Sequence, residues 1–278
     1  MQLLLTPTKF SFCKPLRQQM PMAAARRLLV RLAVGALCCT YPPLWAQTPI
    51  EVHDVIASAT PTRNIALTLD ACSGAFDDDL IEFLIRNRIP ATLFATKKWL
   101  LKNPQGVAII KAHLDLFDVE DHGENHIPAV IGAGRKVYGI AGEPDLLHLR
   151  QEVSEGAKAI TEMIGVPPHW YRGATAEYDP QAIAEIERMG FGIAGFSINA
   201  DSGATLRKPA VEERLRHVKG GDVIIAHMNK PASDTAEGLS TGLLQLLRNG
   251  LVFVRLDQVG LSATNLPKEQ LVRPSSNQ

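Results

Sequence analysis

The feature that most constrains the fold is an alternation of short apolar runs with amphipathic segments of helical length. From residue 64 onward the apolar runs are IALTL, ATLFAT, LFDVE, HWYRG, FGIAGFSI, DVIIAH and LVFVRL. Between them lie DDDLIEFLIRNR, GVAIIKAHL, DLLHLRQEVSEGAKAITEMI and PQAIAEIERM. Strands that alternate with helices predict parallel strands joined by crossover helices. The sequence therefore predicts an α/β fold, a distorted (β/α) barrel of about seven parallel strands.

No internal repeat, low-complexity run or Pro/Gly-rich linker divides this region. We therefore predict one barrel domain over residues 64–265, preceded by an N-terminal segment over 47–63. The last residues, 266–278, are mostly polar and predict a tail outside the domain.

The first 46 residues have the layout of a secretory signal peptide. They contain six Lys/Arg and no acidic residue, and their apolar run, broken by Arg31, leads to small residues near Ala46. Met1, Met20 and Met22 are alternative starts. The run is too short for a stable membrane span. We expect cleavage after Ala46 and a periplasmic or secreted protein.

The charge that remains after this leader excludes one class of partner. Residues 47–278 carry 23 basic and 29 acidic side chains. Nucleic-acid binding needs a dense basic face, so we expect no nucleic-acid partner. Cys72 is the only cysteine outside the leader, so the exported body forms no internal disulfide. The oligomeric state is not predicted.

Ionisable side chains follow the apolar runs closely, and the carboxyl ends of barrel strands are where active sites lie. In chain order these residues are Asp70, Asp121, His122, His126, Arg172, Asp201 and His227. His122 and His126 are four residues apart, a spacing that lets one turn or a tight loop present both to a single metal ion. A polar loop is the alternative interpretation of that pair. Because ionisable residues follow several of the predicted strands, and not only one, an active site is the favoured interpretation.

In this order the motifs resemble those of the polysaccharide deacetylases, carbohydrate esterase family four, also called the NodB-homology domain. The resemblance covers roughly residues 64–257. LTLDACSG is similar to the family's first motif T-F-D-D, HGENH matches H-x-x-x-H, and VIIAH resembles the last motif L-x-L-x-H. RGATAEY and NADSG stand where the family has R-x-x-Y and an Asp after a strand.

The resemblance implies a divalent metal, usually zinc, held by His122 and His126. It implies that Asp70 is the general base and that His227 is the general acid that protonates the departing amine. Arg172 would orient the base through a charge-assisted hydrogen bond, and Asp201 would favour protonated His227. The implied substrate is an N-acetylated carbohydrate such as peptidoglycan, a chitin-type oligomer or an exopolysaccharide.

The sequence departs from the family pattern at two positions. Ala71 replaces the second aspartate, which in the family is the third metal ligand, and Thr175 replaces the tyrosine, with Tyr178 further along. The family uses the backbone N–H at the tyrosine position for the oxyanion, and this donor survives a change of side chain. The loss of the aspartate removes one ligand of three.

Two arrangements could compensate for the lost ligand. In an extended strand Asp70 and Cys72 point to one side and Ala71 to the other. We favour Asp70 as the third metal ligand, with water in the position that Ala71 leaves open and Asp121 as a candidate base. The alternative keeps Asp70 as the base and completes the coordination with Cys72 or additional water.

The leading hypothesis is an exported metal-dependent deacetylase that removes N-acetyl groups from a glycan or peptidoglycan-type substrate. A second is a catalytically impaired glycan-binding relative, motivated by Ala71. A third is another metal-dependent amidase, for instance a deformylase, on the same barrel.

Overall fold

The computed structural model describes residues 48–266. Within them the helices are α1 (Asp78–Arg86), α2 (Lys97–Lys102), α3 (Pro104–Ala112), α4 (Leu146–Ile164), α5 (Pro180–Arg188), α6 (Lys208–Arg216) and α7 (Thr235–Arg248). The strands are β1 (Ile50–Glu51), β2 (Asp54–Ile56), β3 (Asn64–Ala71), β4 (Ala91–Ala95), β5 (Phe117–Asp121), β6 (Lys136–Val137), β7 (Ile140–Ala141), β8 (Trp170–Tyr171), β9 (Glu177–Tyr178), β10 (Gly192–Ile193), β11 (Ile198–Asn199), β12 (Val223–His227), β13 (Val252–Val254) and β14 (Leu261–Ala263).

The main sheet is parallel and curls into a half-barrel. Its strand order is β10-β8-β5-β4-β3-β12-β11, and β13 also pairs with the start of β3. Every pairing in this sheet is parallel. The predicted α/β fold with about seven parallel strands is therefore confirmed.

The central strand β3 shows how the sheet separates two environments. Ile65, Leu67, Leu69 and Ala71 lie in the main apolar cluster together with residues of the flanking helices. Ala66 lies in a different cluster inside the curl, and Thr68 and Asp70 lie on that side too. Because strand side chains alternate, β3 packs one set of side chains against the helices and presents the carboxylate of Asp70 to the inside of the half-barrel.

The run FGIAGFSI does not form the single strand predicted for it. Its two ends form β10 and β11, which lie at opposite ends of the sheet. Between them, Gly195 N donates to Asp54 Oδ2 at 2.7 Å and Phe196 N donates to the carbonyl of Val52. A Cβ on Gly195 would come within 2.2 Å of that carbonyl oxygen. Hydrogen bonds to the N-terminal segment thus take the place of sheet pairing in the middle of the run, and the run forms two short strands.

The structure contains helices that the apolar pattern did not indicate, namely α2, α6 and α7. Two glycines of α7 explain part of the difference. A Cβ on Gly238 would lie 2.6 Å from Val211, and one on Gly242 would lie 2.3 Å from Leu215. Glycine lowers helix propensity but lets α6 and α7 pack closely, which becomes evident only in three dimensions.

The predicted leader, residues 1–46, lies outside the described residues, as does the tail from residue 267 onward. Among residues 48–266, no helix has the length and apolar character needed to cross a membrane. The N-terminal segment is joined to the barrel by short antiparallel pairings of β1 with β9 and of β2 with β14.

Candidate active site at the carboxyl ends of the strands

An open cavity of about 580 Å³ lies at the carboxyl ends of the central strands. Asp70 and Cys72 from the end of β3, His126 from the loop after β5 and His227 from the end of β12 line it. Parallel strands bring their carboxyl ends to one edge, so residues from distant parts of the chain meet there. Among the strand-end residues that the sequence predicted to form a site, Asp70, His126 and His227 therefore line one cavity at this edge of the sheet.

Arg172 holds Asp70 on one side of the cavity. Its Nη1 donates to Oδ1 of Asp70 at 2.8 Å and to Oγ1 of Thr68 at 2.8 Å. Nε and Nη2 each donate to a backbone carbonyl oxygen at 3.1 Å. Arg172 is fully buried. The structure therefore places Arg172 where the sequence predicted it, against one carboxylate oxygen of Asp70.

His122 is oriented by its other ring nitrogen. Nδ1 lies 2.5 Å from the backbone carbonyl oxygen of Arg172. Because a carbonyl can only accept, Nδ1 carries the proton and Nε2 faces the cavity side. His126 follows in a backbone conformation with φ of 68°, and its ring centre lies 4.9 Å from that of His122. The two predicted metal-binding histidines are thus brought together.

Cys72 completes a cluster with these histidines. Its Sγ lies 3.5 Å from Nε2 of His122, and ligand atoms of Cys72, His122 and His126 all lie within 4.8 Å of one another. A thiolate and two imidazoles are donors that zinc takes in proteins, so this set fits a divalent metal. The side chain of Asp70 is close as well, with Oδ2 3.8 Å from Nε2 of His122. The sequence ranked Cys72 behind Asp70, and these distances favour Cys72.

His227, which stands beside Asp70 on the neighbouring strand β12, is fixed by Asp201. The carboxylate accepts from Nδ1 of His227 at 2.9 Å and from its backbone N–H at 2.9 Å. Thr235 Oγ1 donates to the same carboxylate at 3.1 Å, and Asp201 is fully buried. With Nδ1 engaged, Nε2 is the nitrogen left for another group. The predicted pairing of Asp201 with His227 is present.

The cluster shifts the pKa values of its members. Burial raises the pKa of Asp70, but the charge of Arg172, followed by those of His122 and His227, brings it below its usual value. Burial opposes ionisation of the Cys72 thiol too, yet His122 beside it holds that pKa well below the usual range. The pKa of His122 is about 9, because Asp70 and Cys72 outweigh the effect of burial. These shifts favour a thiolate beside a protonated His122 ring, and the proton on Nε2 is the one that a bound cation would displace.

The pKa of His227 is raised well above its usual value. Burial lowers it, but the hydrogen bond to Asp201 and the nearby Cys72 and Asp70 favour the protonated ring. A protonated imidazole at the cavity edge is suited to donating a proton.

Asp121, the alternative base, does not lie on the cavity. Its Oδ1 accepts from the backbone N–H of Gly123, and a Cβ on Gly156 of α4 would lie 2.2 Å from the same oxygen. The side chain therefore points toward α4. The geometry does not support Asp121 as a base and leaves Asp70 as the carboxylate on the cavity.

Glu152 of α4 holds the loop that carries His126, and sequence reasoning did not identify it. Its Oε1 accepts from the backbone N–H of Asn125 at 2.9 Å and of Ile127 at 3.1 Å. Burial raises the pKa of Glu152, and these backbone donors oppose that rise. The only sequence signal was an acidic residue within an amphipathic helix, which is usually a solvated position.

The two residues that replace the family's tyrosine motif have separate roles. Tyr178 is fully buried, and its hydroxyl accepts from the backbone N–H of Gly173 at 2.8 Å. Thr175 lines the cavity with φ of 68°, and within the described residues its buried hydroxyl has no hydrogen-bond partner. A β-branched residue with positive φ is a rare conformation that surrounding structure must enforce.

Comparison with known proteins supplies a family and a fold. The family model described as polysaccharide deacetylase matches residues 57–194. This range includes Asp70, His122, His126 and Arg172 and ends before Asp201 and His227. No curated protein matches the chain significantly.

Three solved structures illustrate the fold. BA3943, a family-four pseudoenzyme from Bacillus anthracis, is 16% identical with a TM-score of 0.56 over 70% of this chain and 64% of its own. The peptidoglycan N-acetylglucosamine deacetylase Bc1960 is 18% identical with a TM-score of 0.60 over 73% and 89%. A family-four carbohydrate esterase from Streptomyces lividans is 18% identical with a TM-score of 0.57 over 70% and 93%. The chain thus spans less than two thirds of BA3943. The structural likeness to these three proteins shows a shared fold.

Proposed function

The chain belongs to the polysaccharide deacetylase family, and from this membership we propose that it is a metal-dependent hydrolase that removes N-acetyl groups from a glycan. The observation that carries the proposal is the arrangement of two proton-transfer groups beside one donor cluster. Asp70 is oriented by Arg172, and His227 is oriented by Asp201. A base and an acid held by separate buried partners are what amide hydrolysis requires.

His122 and His126, with Cys72 beside them, are the residues that would hold the metal. A bound divalent cation would polarise the amide carbonyl and lower the pKa of a water molecule. Oδ2 of Asp70 would accept the proton of the attacking water while Arg172 retains Oδ1. Nε2 of His227 would donate a proton to the departing amine as the carbon–nitrogen bond breaks. The backbone N–H of Thr175 would support the developing oxyanion.

The shape and lining of the cavity support a sugar substrate. The cavity is open and combines apolar side chains, including Tyr138 and Ile140, with polar groups such as Asn229 and Lys230. Tyr138 is 77% exposed. An exposed aromatic ring offers a flat apolar face, and the polar groups offer hydrogen bonds to sugar hydroxyls. N-acetylated peptidoglycan strands and chitin-type oligomers are the substrate classes proposed.

Ala71 favours a second candidate function, a glycan-binding protein with impaired catalysis. The fold is shared with BA3943, which is described as a pseudoenzyme, and also with active members. Another metal-dependent amidase on the same barrel is the third candidate. The three differ in whether metal is bound and acetate is released.

The experiment combines metal analysis with acetate release from acetylated chito-oligomers. The wild-type protein is expected to contain metal and to release acetate. His126→Ala is expected to lose both, whereas His217→Ala, which changes an exposed histidine paired with Glu213, retains both. Tight metal without acetate would favour another amidase, and absence of both would favour glycan binding.

We also propose that the protein acts outside the cytoplasm. The basic and apolar residues 1–46 support export, with a mature chain that begins near Gln47. Cell fractionation with N-terminal sequencing tests this proposal. Soluble cytoplasmic protein that retains the leader would contradict it.

A further inference from the structure

The position of Cys72 depends on the alternation of β3 and its continuation. Ala71 lies in the apolar layer beneath the helices and is fully buried. Asp70 and Cys72 both line the cavity on the other side. An aspartate placed at residue 71 would therefore face the apolar layer rather than the cluster. In this backbone, the residues available to replace the lost ligand are Asp70 and Cys72.

The distances agree with a metal centre built on sulfur. Zinc–sulfur and zinc–nitrogen bonds of about 2.3 and 2.0–2.1 Å at a tetrahedral angle place the two ligand atoms roughly 3.5–3.6 Å apart. Sγ of Cys72 lies 3.5 Å from Nε2 of His122. His126 completes the set within 4.8 Å. The Cys72–His122 pair thus has the spacing of two ligands of one ion, and the His126 side chain, which lies beside them, would move closer to share it.

Asp70 is less suited to the same position. One of its oxygens is held by Arg172, and the other lies 3.8 Å from Nε2 of His122. The shorter zinc–oxygen bond places carboxylate oxygen and imidazole nitrogen at about 3.4 Å around one tetrahedral ion. Asp70 therefore lies next to the coordination sphere, where a base for a water molecule is needed.

We propose that the Cys72 thiolate is the third protein ligand of a zinc ion, with His122 and His126, and replaces the carboxylate that Ala71 cannot supply. The proposal rests on the proposed function for its catalytic meaning, but not for metal binding itself. The exchange retains one negative ligand beside two neutral imidazoles. A thiolate suits zinc or cobalt, whereas magnesium, calcium and manganese prefer oxygen, so the site should select the first group.

The test uses Co²⁺ bound to the full chain, because a cobalt–thiolate bond gives a charge-transfer band in the near ultraviolet. The matched control replaces Cys13, Cys38 and Cys39 of the leader by serine and leaves Cys72 as the only thiol. We expect the band in the wild-type protein and in this control. Its absence from either protein when cobalt is bound would overturn the proposal.

Substitutions within the cluster separate the two candidate ligands. Cys72→Ser is expected to lose the band and to bind zinc more weakly by roughly two orders of magnitude or more. Asp70→Asn is expected to keep the band and the zinc stoichiometry while losing activity. Unchanged zinc affinity in Cys72→Ser, or loss of metal only in Asp70→Asn, would show that sulfur is not the ligand. Should Cys72→Ser fail to fold, the triple-serine control still decides the question.

Acetate release, measured on the same preparations, distinguishes the two proposals. A protein that shows the sulfur–cobalt band but releases no acetate would refute the deacetylase function and leave the ligand assignment intact. Acetate release that persists with full zinc in Cys72→Ser would refute the ligand assignment and leave the function intact.

Discussion

His227 Nδ1 lies 2.9 Å from Oδ1 of Asp201, and the same carboxylate also accepts the backbone N–H of His227. The two contacts fix both the ring and the main chain at the end of β12. The imidazole consequently presents Nε2 in one orientation. Its partner Asp201 is fully buried, so the pair excludes solvent from the Nδ1 side.

Replacing His227 by Ala should lower turnover without removing the metal. A positioned acid contributes roughly two to four orders of magnitude to rate, and we expect a loss of that size in kcat. Asp201→Asn should give a smaller loss because the ring remains. Acetate release and metal content are measured together. A variant that loses metal and keeps its rate would reverse the assignment.

Replacing Arg172 by Met should destabilise the protein strongly. The change leaves the buried carboxylate of Asp70 without the guanidinium that compensates its charge, which costs about 3–5 kcal/mol of unfolding free energy. The double variant Asp70→Asn/Arg172→Met should recover part of this loss because the uncompensated charge is gone. Denaturant unfolding of the single and double variants measures the coupling. If the losses of unfolding free energy from the two single substitutions simply add in the double variant, Asp70 and Arg172 are not coupled and the prediction is wrong.

Replacing Glu152 by Ala should weaken metal binding from a distance. Its carboxylate holds the backbone of the loop that carries His126. Loss of such a supporting contact typically costs about 10–100-fold in metal affinity. Glu152→Gln keeps an oxygen acceptor of the same size and is the matched control. Metal titration should rank wild type first, then Gln, then Ala, and an unaffected Ala variant would exclude this positioning role.

Replacing Asp118 by Asn should stabilise the protein above neutral pH. Burial, together with the charge of Asp257, raises the pKa of Asp118 to about 7, although Arg255 opposes the rise. Within the described residues its Oδ2 has no hydrogen-bond partner. The folded protein binds more protons than the unfolded chain between about pH 4 and 7, so the unfolding free energy falls as pH rises through this window.

At pH 8 the Asn variant should therefore exceed wild type by about 1–3 kcal/mol, and the gain should vanish near pH 4. Asp115 provides a control of opposite sign. The hydrogen bond to Arg88 lowers the pKa of Asp115, so Asp115→Asn should cost stability at neutral pH and not in acid. Unfolding curves at both pH values test the pair, and a gain for Asp118→Asn that is independent of pH would refute the argument.

The site was predictable wherever it depended on the order of elements. Alternating strands and helices implied parallel pairing, and parallel pairing brings every carboxyl end to one edge. Asp70, His122 and His227 could therefore be assigned to one site although long stretches of chain separate them. Glu152 could not be assigned to the site from the sequence, because its role depends on which loop packs against the side of α4 that carries it.

The period of a strand is a local property, and it was enough to place Asp70 and Cys72 on one side and Ala71 on the other. The sequence thereby determined the parallel fold, the edge that carries the candidate site and the side of β3 that each of these residues faces. Only the tertiary structure decided which candidate lies closer to His122, because the pairing of β4 with both β3 and β5 and the hydrogen bond from Arg172 to Asp70 set those distances. Local geometry follows from neighbouring residues, whereas a separation of a few ångströms between residues fifty positions apart depends on how the whole sheet curls.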